Sequence, residues 1–196
     1  MMELKNNKST WAALATLGVT AVAAGATAFL KIREKRKERQ TQEAEQAHNR
    51  HLTAEQMMVY NDAIRTFISL NDRIYDMRNE REALQPIVKW LATNGEKPEL
   101  STTNDNIKLL ADDIEHFLLT QVPFINACLA SVGDPTMSYP DYVRGAVGGY
   151  FDDTLDEEPT GAPAEKGQQI AFVLRLGYYF PESTLVHAPV KSIVLA

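Results

Sequence analysis

An unbroken run of uncharged positions extends from Trp11 to Leu30, and charged and polar residues resume at once behind it. At about 1.5 Å of rise per residue, a helix over this run matches the roughly 30 Å hydrocarbon core of a bilayer, which predicts a transmembrane helix over residues 11–30. Its strongly apolar side chains are few: Trp11, Leu14, Leu17, Val19, Val22, Phe29 and Leu30, with Ala, Gly and Thr between them. At about 100° per residue, Ala12, Ala13, Thr16, Thr20, Ala23, Ala24 and Thr27 share one face. Small and hydroxyl-bearing residues let helix backbones approach within lipid, so this face is a candidate packing surface for a second copy of the chain or a partner helix.

Lys31, Arg33, Lys35, Arg36, Lys37 and Arg39 follow the run, whereas only Lys5 and Lys8 precede it. Retention of positive charge on the cytoplasmic side then places residues 1–10 outside and the C-terminal domain in the cytoplasm, as in a single-pass protein of the inner or plasma membrane. The same six basic residues are candidates for contact with anionic lipid headgroups. A cleavable signal peptide is the competing reading, because Ala26-Thr27-Ala28 has the small residues of a cleavage site, but the basic collar directly behind it opposes translocation. Residues 31–52 contain neither Gly nor Pro and are rich in helix formers, so the helix is expected to continue as a charged stalk.

From Thr53 to Ala196 the pattern is that of a globular domain. Thr53 and Gln56 have the spacing of a capping box, and Met57, Tyr60, Ile64, Phe67 and Ile74 recur behind them at helical period. Asn71 interrupts that apolar stripe, as a residue that sets helix register or as a buried amide satisfied locally. Pro86 permits a second turn carrying Ile87, Val88, Trp90 and Leu91, which Asn94-Gly95 ends. A further helix is expected from Asn104 to Val132, kinked or split by Pro123.

Ser138 and Asp141 cap a shorter helix reaching Phe151, and a helix restarts at Pro163 through Ile170, Val173, Leu174 and Tyr178. The tail from Leu185 to Ala196 is β-branched and apolar, compatible with a strand or a docked coil. The fold class predicted is therefore mainly α: an N-terminal transmembrane helix, a charged stalk, and a helical-bundle-like cytoplasmic domain with an irregular or extended tail.

Charge changes the picture in one respect. The total is −6, with +1 on residues 1–10 and +4 on residues 31–39, which leaves −11 on residues 40–196. Such an acidic domain repels phosphates, so nucleic acid is excluded as a partner. Cys128 is the only cysteine and lies among apolar residues, so it predicts a buried inert thiol and no internal disulfide.

Candidate chemistry is sparse. Glu45 with His48 and Asp113 with His116 each set a carboxylate and an imidazole three residues apart, but a di-metal bundle site needs further inward carboxylates. The acidic run Asp152, Asp153, Asp156, Glu157 and Glu158 lacks the ligand order of an EF-hand and reads as a solvated loop or a docking strip. No catalytic residue, cofactor or metal ligand is assigned. The function expected is a membrane-anchored adaptor that binds protein partners at the cytoplasmic face. The alternative is a membrane-tethered enzyme or small-ligand sensor with a pocket between helices, lined by Trp90, Tyr142, Tyr150 and Tyr178.

Overall fold

The computed structural model describes residues 51–145, 148–159 and 164–196. Its first helix, α1 (Ala54–Asp76), begins at a reciprocal cap: Gln56 N–H donates to Thr53 Oγ1 at 3.2 Å, and Thr53 N–H donates to Gln56 Oε1 at 2.9 Å. A 3-10 turn at Arg78–Glu80 leads into α2 (Arg81–Thr93), which ends with Asn94 in the left-handed region at φ 51°. Helix α3 (Asp105–Thr120) starts where Asn104 Oδ1 accepts Asn106 N–H, and α4 spans Val122–Val132. The expected single helix over Asn104–Val132 is thus two. Pro123 has no N–H to continue α3, and it sits instead in the first turn of α4, where that donor is not needed.

Beyond Gly133 the helical expectation is corrected. A 3-10 turn (Tyr139–Tyr142) runs directly into β1 (Val143–Arg144), followed by β2 (Asp156–Glu157), β3 (Phe172–Arg175), β4 (Gly177–Tyr178) and β5 (Ser192–Leu195). The strand β5 lies centrally in a three-stranded sheet, parallel to β2 and antiparallel to β3, while β1 and β4 form an antiparallel pair. The domain therefore combines four helices with two small sheets among the described residues. Gly148, at φ +86°, does not suit the helix predicted through Phe151. In the 163–180 stretch, short apolar runs carry no decisive period, and long-range backbone pairing turns them into strands.

Two helix amides bind this second half to the first. Gln85 of α2 takes the Val173 N–H at 3.0 Å and donates to the Val173 carbonyl at 3.1 Å, and Asn71 of α1 treats Leu176 in the same way. Asn71 thus pairs neither with another helix nor locally. The core centres on Phe67, whose ring meets those of Tyr139, Tyr178 and Phe180 edge-on at 5.9, 5.1 and 5.6 Å between centroids. Buried Ile64, Ile87, Leu91, Leu110 and Ile114 extend it between the helices.

The membrane assignment is also corrected. Among the described residues no helix is long and apolar enough to cross a membrane, and the single-pass topology with its cytoplasmic C-terminal domain is not retained. The longest helix, α1, carries Asp62, Arg65, Asp72 and Arg73 on its outer side and is a surface helix of a globular core. The expected span 11–30, its Ala/Thr face from Ala12 to Thr27 and the basic residues from Lys31 to Arg39 all lie outside the described residues.

Candidate functional site

Asp156, at the start of β2, is buried with its side chain only 1% exposed. A carboxylate taken out of water needs charge and hydrogen-bond partners, and three groups supply them through four hydrogen bonds. Arg144 approaches along one edge of its guanidinium, with Nε 3.3 Å from Oδ1 and Nη2 3.2 Å from Oδ2. Asp152 N–H donates to Oδ2 at 2.9 Å, and the Ser192 hydroxyl donates to Oδ1. This cluster ties β1, β2 and β5 together, because Ser192 stands opposite Asp156 in the parallel ladder. Asp152 itself is set by a local turn in which the Thr154 N–H and O–H both donate to its Oδ1. Those bonds hold its carboxyl below the ordinary range for aspartate.

Arg144 stands at the wall of two cavities. The larger, about 670 Å³, lies between the end of α2 (Ala92, Thr93), β1 and the sheet, with Tyr150, Asp156, Ser192 and Val194 among its lining. The smaller, about 370 Å³, is an open hollow lined mainly by carbon, from Tyr142, Leu155, Tyr178, Tyr179, Pro189 and Val190. Asp141, Val143 and Arg144 line both. Asp141 Oδ2 is engaged by the Ser138 N–H at 2.8 Å and by the Ser138 hydroxyl. The guanidinium edge of Arg144 that faces away from Asp156 has no acceptor among the described residues, and its side chain is 41% exposed.

The sequence-derived candidates fall elsewhere or apart. Of the four aromatic residues expected to line one pocket, Tyr150 belongs to the larger cavity and Tyr142 and Tyr178 to the smaller, while Trp90 donates its ring N–H to Gly95 O and lines neither. Asp113 pairs with Arg73 at 2.6 Å across α1 and α3 rather than with His116. The pair Glu45 and His48 lies outside the described residues. The acidic run is no uniform strip: Asp156 points inward, Glu157 faces Arg175 at 3.9 Å, and Glu158 accepts the Ala196 N–H at 3.1 Å. Among the described residues no group of three or more His, Cys, Asp or Glu side chains is placed to hold a metal ion.

Arg144 and Ser192 carry no signal in the sequence and Asp156 shows there only as one member of an acidic run, because nothing in their spacing sets the three apart; the fold alone brings them together. Comparison with known proteins gives no matching family model, no matching curated protein and no matching solved structure.

Proposed function

We propose that residues 51–196 form a ligand-binding domain whose site is the larger cavity between α2, β1 and the sheet. Its volume, about 670 Å³, falls within the roughly 300–1,000 Å³ of small-molecule sites. The observation that carries the proposal is the state of Arg144: one edge of its guanidinium is anchored on a buried carboxylate, and the donors of the other edge, in a residue that lines the cavity, meet no acceptor among the described residues. An arginine fixed in this way loses little side-chain freedom when a ligand arrives, so the site is pre-organised for polar recognition.

The test is a titration of the full chain with a panel of small polar organic molecules, followed by amide ¹⁵N–¹H shifts. Binding in the cavity moves the amides of Thr93, Arg144, Tyr150 and Val194. A panel that moves none of them, or moves only the outer faces of α1 and α3, overturns the proposal.

A protein-binding role is the second reading. Leu119 and Phe124, 71% and 57% exposed on either side of the α3–α4 break, favour it, because large side chains left that open are suited to burial by a partner. A Leu119→Ser/Phe124→Ser variant that keeps every partner recovered with the parent chain argues against this reading.

A further inference from the structure

We infer that the ligand of this site is an organic monocarboxylate with an apolar body, its carboxylate in the larger cavity on Arg144 and its body reaching past Arg144 into the smaller cavity. The inference rests on the cavity being a binding site and concerns what enters it.

Asp156 offers a ligand nothing. Its two oxygens already accept from Arg144 Nε and Nη2, the Asp152 N–H and the Ser192 hydroxyl, and it is shielded from solvent. What the cluster leaves over is donors only: both Nη1 hydrogens and the second Nη2 hydrogen of Arg144 are not taken by Asp156. A planar group with two acceptor oxygens matches that edge, and a carboxylate does so with charge assistance. Charge limits the ligand to a single negative unit. The cationic side chains lining the two cavities are Arg144 and Lys191, against the carboxylates of Asp141 and Asp156, and Lys191 Nζ is already donating to Asp153 O at 2.6 Å. Two cations against two carboxylates leave the lining without net charge, so a dianionic phosphate meets no surplus positive charge, whereas a monoanion is accommodated on the guanidinium edge alone.

The body follows from the second cavity, which shares Asp141, Val143 and Arg144 with the first and is walled by Tyr142, Tyr178, Tyr179 and Val190. Aromatic and aliphatic walls beside a fixed cation suit an amphipathic acid. A free small molecule is the source, rather than the C-terminus of a peptide. The strand common to both walls, β1, is two residues long and has no length of backbone for a peptide to pair with.

Calorimetric titration of the full chain with 4-phenylbutyrate and with its neutral analogue 4-phenylbutyramide tests this, with amide shifts locating each. Phenylbutyrate should bind about tenfold or more tightly than the amide, since only it meets Arg144 with charge. Arg144→Gln alone strands a buried carboxylate, so the double variant Arg144→Gln/Asp156→Asn serves as the folded control, and in it the preference for the acid should vanish. Tyr179→Ala should weaken acid and amide alike. Equal binding of acid and amide within the cavities overturns the carboxylate assignment while leaving the binding site standing. Cavity amides that respond to neither probe, nor to the wider panel, overturn both. Phenyl phosphate binding more tightly than phenylbutyrate overturns the single-charge limit, and a hexapeptide ending in Phe binding more tightly overturns the small-molecule source.

Discussion

The side-chain amide of Asn71 forms a two-bond ring with the backbone of Leu176, 105 residues further on: Nδ2 donates to the Leu176 carbonyl at 2.9 Å, and the Leu176 N–H donates to Oδ1 at 2.8 Å. Asn71 is 1% exposed and Leu176 wholly buried. Both backbone groups of Leu176 are thus removed from water and depend on one side chain. Asn71→Leu keeps the volume and leaves that N–H and C=O unpaired. At about 1–3 kcal/mol for each stranded buried group, the variant should lose about 3 kcal/mol of stability. The exposed Asp62→Asn on the same helix should change it by under about 0.5 kcal/mol. Urea denaturation of the two variants beside the parent checks the difference, and equal midpoints for parent and Asn71→Leu would remove Asn71 as the link between α1 and the β-rich half.

That link explains how much of the fold could be seen in the sequence. Helix α1 was legible because its determinants are local: the Thr53–Gln56 cap and a stripe from Tyr60 to Ile74 lie within one periodic segment. The sheets were not. Their strands are two to four residues long, and β2 meets β5 across a separation of more than thirty residues, so no window of sequence contains a strand and its partner. The Asn71 amide was visible as an anomaly, yet its purpose lies at Leu176, between β3 and β4, in a stretch that periodicity assigned to a helix. The site suffered doubly, since Arg144, Asp156 and Ser192 sit on three of those short strands.

Gly177 and Gly148 separate two reasons for glycine. A Cβ at Gly177 would stand 2.7 Å from Ser192 N and 2.8 Å from Val190 O, both backbone, so alanine there must push β4 away from the segment it pairs with through Tyr178 and Val190. At Gly148 no atom of the described residues beyond its chain neighbours lies within 4 Å of the added carbon, and the positive φ of 86° is what opposes it. Gly177→Ala should cost about 2–3 kcal/mol through forced displacement, against about 1 kcal/mol of backbone strain for Gly148→Ala. Equilibrium unfolding that ranks the two the other way would contradict the close approach at Gly177.

Alkaline pH should unfold the domain through its buried phenols. Tyr60 O–H donates to Pro181 O at 3.0 Å and Tyr139 O–H to Leu91 O at 2.9 Å. Burial pushes both pKa values above the ordinary 10.0. Below about pH 10 both tyrosines are neutral in either state and add no slope. Above it the unfolded chain releases protons that the native state keeps, so stability falls as pH rises, by about 1.4 kcal/mol per pH unit for each tyrosine. Urea midpoints from pH 8 to 11.5 should show the fall, and Tyr139→Phe should make it shallower. A profile equally steep in Tyr139→Phe would assign the slope to other groups.

Arg144 and Asp156 should prove energetically coupled, and the sign of that coupling separates a held pair from a chance contact. Arg144→Met leaves the Asp156 carboxylate in place with only the Asp152 N–H and the Ser192 hydroxyl to stabilise it. Stranding one member of a buried pair costs about 3–5 kcal/mol, and the 41% exposure of Arg144 reduces this to about 2 kcal/mol. Asp156→Asn frees an arginine that water can reach, so its cost should be smaller. In Arg144→Met/Asp156→Asn the stranded charge is gone, and the double variant should be more stable than the sum of the single losses implies, by about 1 kcal/mol or more. Simple additivity across the cycle, measured by urea denaturation at low and at high salt, would mean that Asp156 does not hold Arg144 and that the guanidinium stands at the cavity wall unanchored.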